Sequence, residues 1–373
     1  MIKVCHMTSA HKSTDVRIFH KQCTSLVKAG YDVYLVAQGE SYDSNGVKII
    51  GVSQISGSRF KRMTQGAKSV YKKAIEIDAD IYQIHDPELL PYALKLKKKG
   101  KKVIFDSHED YFTQIQEKQY LVGFLRIIIA HAYKYYEKRI CKKIDAVIFP
   151  CTMNGKNVFE GRAKKVVFIN NTPILTELYA NYTLDYPKKN KAICHIGGLT
   201  YSRGITHLIK ATYKADAKLI LGGLFNPQNY AEELTALKEY ECVDYRGFVD
   251  RSGVCEILKE SNIGVSTLLN IGQYNKADNF ATKVYEYMAM GLPIIISDYP
   301  YAREVNKKYN CFMIVEPTNI DKIANAINYL IDNTETAKEM GQNGRRAVLE
   351  EFNWGVEEKK LYELYESLGV KHE

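Results

Sequence analysis

Short apolar runs alternate with amphipathic stretches along all 373 residues, and this alternation limits the fold more than any single motif does. It is the pattern of parallel sheets wrapped by helices. In the first half, strands are predicted at 2–7, 32–36, 81–85, 102–106, 146–149 and 166–169. In the second, they are predicted at 191–196, 217–221, 243–245, 263–266, 293–297 and 311–315. The chain is too long for one ordinary domain and suits two of about 185 residues, each able to bury its own core. Two similar α/β halves are therefore expected, 1–186 and 187–354, with the polar segment 181–191 as linker and a last helix from Gly355. No sequence repeat accompanies this duplication.

The formal net charge of +9 belongs to the first half, where residues 1–187 hold 29 Lys and Arg against 18 Asp and Glu. That half is expected to face something anionic: nucleic acid, a membrane surface or a phosphorylated acceptor. Segments 58–73 and 120–143 read as amphipathic basic helices that can lie on anionic lipid, or equally as core-packed helices with a solvated basic face. The basic residues are distributed rather than clustered, which argues against nucleic acid. Eight cysteines show neither C-x2-C nor zinc spacing and read as reduced thiols of a cytoplasmic protein, placed at the inner face of the membrane if the basic half touches lipid. The N-terminus lacks a signal peptide's apolar core, and no apolar run reaches spanning length. No G-x-G-x-x-G follows a strand, which disfavours a dinucleotide dehydrogenase.

The densest chemistry lies between Asp278 and Pro293. Asp278 and Asn279 are strong N-cap types, the spacing predicts a helix over 282–290, and Gly291 with Pro293 stops it before an apolar strand. Backbone N–H groups of Asn279, Phe280, Ala281, Thr282 and Lys283 would then face one anion, with Lys283 adding a full charge. Glu286 lies a little over two turns beyond Asp278, about 12 Å along the axis, so the two carboxylates could hold opposite ends of a long ligand. A capped surface helix with a solvated Glu286 is the alternative.

The segment resembles the acid-x7-Glu motif of the retaining GT-B glycosyltransferases of family 4, in which both acids are usually Glu. The resemblance implies a GT-B fold, two Rossmann-like doubly wound domains facing a central cleft. It also implies that Glu286 holds donor ribose hydroxyls, Asp278 contacts the transferred sugar, and the N–H groups cradle the diphosphate. Members typically show Gly-Arg-Leu followed four residues later by Lys-Gly after the first strand of the second domain. Here that stretch reads Gly197-Gly198-Leu-Thr-Tyr-Ser-Arg203-Gly204, with one cation fewer than usual. Arg203 and Lys283 are then expected to neutralise the departing diphosphate. Gly222 and the Phe248-Val249 pair are expected to line the nucleotide pocket, and His108 to hydrogen-bond the donor sugar.

The implied activity is a retaining transfer from a UDP- or GDP-linked sugar to a lipid-linked or growing surface polysaccharide, with no cofactor and no metal. A GT-B nucleotide-sugar epimerase, or a basic membrane- or nucleic-acid-binding protein without catalysis, are the rival readings. In the loop Thr8 to Arg17, Asp15 and Arg17 read as a helix cap and a structural ion pair.

Overall fold

A computed structural model describes residues 1–55, 58–116, 123–175, 190–272 and 276–370. The chain divides into two compact units, 1–171 with 355–373, and 172–354. The linker expected at 181–191 falls largely on 181–189, outside the described residues.

The first unit is built on β1 (Lys3–Lys12), β2 (Asp32–Gln38), β3 (Tyr42–Ser44), β4 (Val47–Val52), β5 (Ile81–Ile84), β6 (Lys102–Asp106), β7 (Ala146–Phe149) and β8 (Val166–Phe168). They form one sheet in the order β3-β4-β2-β1-β5-β6-β7-β8. All pairings are parallel except that of β3 with β4. This hairpin adds two strands to the six that the apolar runs indicate. Its signal is the dipeptide Asn45-Gly46, both residues with positive φ (51° and 77°), as a two-residue hairpin turn requires.

Helix Arg59–Glu76, capped by Ser58, turns Ala67, Val70 and Ala74 into the core, so one of its faces is a packing face. Helix Gly123–Cys141 buries Ala130, Ile140 and Cys141 but leaves Phe124, Leu125, Ile127, Ile128 and Ile129 exposed. The last helix, Trp354–Glu366, returns to the first unit: Glu358 accepts from Ser25 Oγ at 2.9 Å, and Glu357 from Asn170 N at 2.9 Å.

The second unit holds β9 (Ala192–Ile196), β10 (Lys218–Gly222), β11 (Val243–Gly247), β12 (Ile263–Ser266), β13 (Ile294–Ser297) and β14 (Phe312–Val315). They pair in parallel in the order β11-β10-β9-β12-β13-β14. All six strands coincide with the predicted runs; five are largely buried with little polar interruption, while the edge strand β11, Val243–Gly247, is half-exposed. Along β9, Ala192, Cys194 and Ile196 enter one core cluster while Ile193 enters the other, the two-residue period of a strand between two helical layers.

In each unit the first strand has neighbours on both sides from opposite windings, β2 and β5 around β1, β10 and β12 around β9. The crevice beyond the carboxyl end of such a strand is where open α/β sheets take ligands. Packing is tight at the opposite edge of the second sheet, where the chain enters β13. A Cβ added to Gly341, on helix Thr334–Glu350, would meet the Gly291 carbonyl oxygen at 1.9 Å. We therefore expect Gly341→Ala to destabilise the protein by about 1 to 3 kcal/mol through overpacking, read as a lowered denaturation midpoint. An unchanged midpoint would mean that the Gly291 turn yields freely.

Candidate active site

In the second unit the site forms where β9 ends. Gly197 leaves the strand with φ +117° and donates its N–H to Gly222 O at 2.8 Å. The chain then makes a short turn, Tyr201–Arg203, passes Gly204 in the left-handed region (φ +73°) and enters helix Ile205–Lys214. Gly204 has no alternative, since a Cβ there would lie 2.1 Å from Thr267 O.

The turn sends Arg203 back over Gly197. A Cβ at Gly197 would sit 3.3 Å from Arg203 Nη1 and 3.8 Å from Lys283 Nζ, so the missing side chain is what lets the two cations converge. Lys283 is 5% exposed, and its Nζ lies 2.6 Å from His195 Nε2. The His195 Nδ1 faces Val265 O at 3.2 Å, and a carbonyl only accepts, so Nδ1 carries the proton and Nε2 receives Lys283. Burial, reinforced by Arg203, holds the Lys283 ammonium well below the ordinary lysine range. Burial, then Lys283, keeps His195 well below the ordinary histidine range.

Glu286, one turn along helix Thr282–Ala289, is 5% exposed and takes Arg251 Nη1 on Oε1 at 2.5 Å. It is not the solvated surface charge of the alternative reading.

Two expectations about this segment are corrected. The helix starts at Thr282 with Ala281 in the cap position and no side-chain cap, so neither Asp278 nor Asn279 caps it; both lie half-buried in the preceding turn. Phe280 is a core residue with its ring against Tyr285, Tyr301 and Phe312. Its N–H is taken by Tyr285 Oη at 3.2 Å, so it offers nothing to a diphosphate. Gly222 ends β10 with its bare Cα against Ile257 and Val249, which makes it a packing position. Val249 is half-buried in that contact, while Phe248 stands in the open, 76% exposed. A larger hollow, about 700 Å³ and lined by Tyr213, Lys218 and Val243, opens at the amino ends of β10 and β11, the edge opposite to this chemistry.

In the first unit the polar side chains gather on Asp106, fully buried at the carboxyl end of β6. Arg17 donates to it twice, Nη2 to Oδ1 at 2.8 Å and Nε to Oδ2 at 3.1 Å, and Gln22 adds a bond to Oδ2 at 2.7 Å. Burial alone would raise this carboxyl; Arg17 and the neighbouring histidines override it and hold it well below the usual carboxylate range. His85 Nδ1 and His108 Nε2 lie 3.4 and 3.6 Å from Oδ2 and 3.3 Å from each other. These three groups stand close enough to hold a metal ion, but Arg17 and Gln22 already occupy the Asp106 oxygens, and the set is accounted for as a hydrogen-bond network.

His108 lines a cavity of about 220 Å³ with Asp15, Val16, Arg17, Pro150 and Asn171. Asp15 caps the helical segment Val16–Cys23 as expected, accepting from Ile18 N at 2.9 Å. The ion pair divides differently: Arg17 goes to Asp106 and Asp15 to His11 at 3.4 Å.

Sequence reading misses His6, His195, Gln22, Arg251 and Tyr365. For the two histidines a signal exists. Val4-Cys5-His6-Met7 and Ile193-Cys194-His195-Ile196 each set an imidazole one residue before the end of an apolar run, where only a partnered polar group belongs.

Removing the buried Lys283 charge tests this geometry. Between the depressed folded value and the ordinary one, the unfolded chain binds more protons than the folded chain, so the lysine's penalty is largest at low pH and fades as pH rises. Lys283→Met is expected to unfold at a higher temperature than wild type at pH 7, with a gap that narrows toward pH 10. A variant less stable than wild type at every pH would contradict the burial penalty.

Two sequence families match the chain: "Glycosyltransferase Family 4" over residues 16–172, and "Glycosyl transferases group 1" over residues 183–347. An uncharacterized glycosyltransferase of Methanocaldococcus jannaschii is 26% identical over 180 residues, 47% of this chain and 44% of that protein. The match thus spans less than half of that relative's length. Sucrose-phosphate synthase from Thermosynechococcus elongatus shares the fold with TM-score 0.78 at 17% identity, covering 99% of both chains. HepE of Anabaena, solved in complex with UDP and glucose, does so with TM-score 0.71 at 14% identity, covering 98% of this chain and 100% of that one. With one family matching most of each α/β unit, the chain belongs to the GT-B glycosyltransferases of family 4.

Proposed function

We propose that this chain is a retaining, metal-independent glycosyltransferase that moves a hexosyl or N-acetylhexosaminyl group from a UDP- or GDP-linked donor to a lipid-linked or growing surface polysaccharide of capsule, O-antigen or exopolysaccharide type. One observation carries the reading. Lys283 and Arg203 converge over Gly197 at the start of a helix that also holds Glu286, so a doubly cationic spot and a buried carboxylate stand one helical turn apart.

A nucleoside diphosphate matches both ends. Its phosphates meet the two cations, and its ribose hydroxyls donate to Glu286, which Arg251 holds in place. As the bond from the anomeric carbon to the diphosphate oxygen breaks, negative charge gathers on the leaving phosphate and positive charge on the sugar. Lys283 and Arg203 answer the first, which is the electrostatic aid such a transfer needs. The acceptor hydroxyl attacks the same face, and its proton passes to the departing phosphate. Asp278 is assigned to hydroxyls of the transferred sugar and His108 to a sugar hydroxyl in its cavity. The UDP and glucose held by HepE support a donor of this class.

The surface of the first unit supports peripheral contact with an anionic membrane at the cytoplasmic face. Phe124, Ile127 and Ile128 are 63%, 54% and 58% exposed on helix Gly123–Cys141, whose later turns carry Lys134, Lys138 and Arg139. Among the described residues no helix is long and apolar enough to cross a membrane. Apolar side chains beside cations are the composition of a helix lying in the headgroup layer.

Thermal shift against UDP-, GDP-, ADP- and dTDP-sugars is expected to single out one nucleotide. At one hundred times Kd the bound donor adds about 2.7 kcal/mol of stability. The shift should survive EDTA and vanish in Glu286→Ala, and the product's anomeric NMR signal should keep the donor's configuration. Loss of the shift in EDTA, or an inverted product, would refute the mechanism. For the membrane, the protein should co-sediment with phosphatidylserine vesicles but not with phosphatidylcholine ones, and Ile127→Ser/Ile128→Ser should stay in the supernatant. Equal sedimentation of the double variant would refute this surface.

A further inference from the structure

The polar groups behind His108 form a closed circuit that crosses the unit and passes through the last helix. His108 Nε2 lies 3.3 Å from His85 Nδ1, and His85 Nε2 lies 3.0 Å from His6 Nδ1. His6 Nε2 lies 3.4 Å from Tyr365 Oη, and Tyr365 Oη lies 2.8 Å from Gln83 Oε1. Gln83 Nε2 reaches Gln22 Oε1 at 2.5 Å, and Gln22 Nε2 reaches Asp106 Oδ2 at 2.7 Å. That oxygen stands 3.6 Å from His108 Nε2, where the circuit began. His6, Gln22, Gln83, His85, Asp106 and Tyr365 are all buried.

The direction of every bond follows from one end. Ionised Asp106 can only accept, so Gln22 must turn its NH₂ toward it and its carbonyl toward Gln83. Gln83 must then give its NH₂ to Gln22 and turn its carbonyl to Tyr365. Tyr365 has a single proton and spends it on that carbonyl, so it can only accept from His6. Neutral His6 therefore carries its proton on Nε2, and its bare Nδ1 takes the Nε2 proton of His85. The bare Nδ1 of His85 then needs a donor; Asp106 Oδ2, 3.4 Å from it, is acceptor-only and makes no hydrogen bond to it, so His108 Nε2 supplies the proton. Burial keeps His6 and His85 in the neutral form that this assignment requires.

We infer that Tyr365 acts as a positioning residue that fixes the tautomer of His108 through this one-way circuit, so that His108 keeps Nε2–H turned inward and presents a bare Nδ1 as acceptor to the hydroxyl of a sugar. The sugar as ligand rests on the function proposed above; the tautomer does not. A hydroxyl that meets His108 must donate to it. The opposite tautomer would meet the same hydroxyl with a donor, and Tyr365 prevents this from three links away in the circuit while the outer edge of the ring stays open. His108 side-chain exposure is 16%, against none for His85.

The test is a long-range ¹H–¹⁵N spectrum of the full chain labelled on histidine at pH 8, with His108 assigned by its disappearance in His108→Asn. In wild type, Nε2 should show the shift of a protonated ring nitrogen and Nδ1 that of a bare one. The reverse pattern, or an average of the two, overturns the inference without any variant having to fold. In Tyr365→Phe, which keeps the ring and removes only the hydroxyl, the His108 signals should move toward a mixture of tautomers. The variant's kcat should fall on the order of tenfold or more, the cost of a wrongly held tautomer, while KM for the donor stays unchanged. Unchanged His108 shifts in Tyr365→Phe overturn the role of Tyr365. A fixed Nε2–H tautomer in a chain that transfers no sugar would support the circuit and remove the proposed function, so the two fail separately.

Discussion

The buried Asp106 carboxylate organises the first unit. An ionised carboxylate without water is costly unless paired and fully hydrogen-bonded, and Asp106 is both. Arg17 and Gln22 reach it from the helix after β1 and His108 from its own loop, while His85 of the loop after β5 lies 3.4 Å away. Arg17 also donates Nη1 to Ile169 O at 3.0 Å, beyond β8. Four loops at the carboxyl edge of the sheet are thereby set relative to one negative charge. Such a pair contributes little net stability against an apolar core of equal volume, so its value lies in geometry: losing either partner would strand the other charge.

The second unit inverts this logic. Around Gly197 two cations and an imidazole crowd together, and the nearby carboxylate, Glu286, is already matched by Arg251. Two positive groups face each other there in a buried place, and burial with Arg203 alongside loosens the Lys283 proton. A group of opposite charge would relieve the strain and restore that proton. A site held at a cost in stability, and repaired by an anion, is what binding phosphate at a helix start requires.

Legibility from sequence followed the same division between apolar and polar information. Five strands of the second unit read directly because buried parallel strands are nearly pure apolar runs. β3 escaped because it is the edge strand, where Tyr42 and Asp43 are exposed and the apolar signal is thin; β4, Val47–Val52, is an apolar run that went unread. Lys283, Arg203, Glu286 and His108 were found as residue types in a recognisable spacing, and each occupies a buried or half-buried position. The false reading of Phe280 has a clear cause. The helix starts at Thr282 as its spacing indicates, but an aromatic ahead of a buried helix is drawn into the core formed by Tyr285, Phe312 and Phe352, which takes its N–H away from any anion. His195, Arg251 and Tyr365 could not be paired by spacing at all, since their partners lie 88, 35 and 282 positions away.

The return of the last helix to the first unit gains its meaning from that last number. Leu361, Leu364 and Tyr365 are buried there, and apolar packing alone would account for the first two. It does not account for a hydroxyl placed between an imidazole and a glutamine amide in a dry interior, where an unmatched polar group costs more than a phenylalanine would. A circuit that starts from an acceptor-only carboxylate needs an element able to accept on one side and donate on the other, and a tyrosine hydroxyl does this with one proton. The helix that closes the chain thus also closes the circuit, and the orientation of an imidazole at the sheet's edge depends on a residue near the C-terminus.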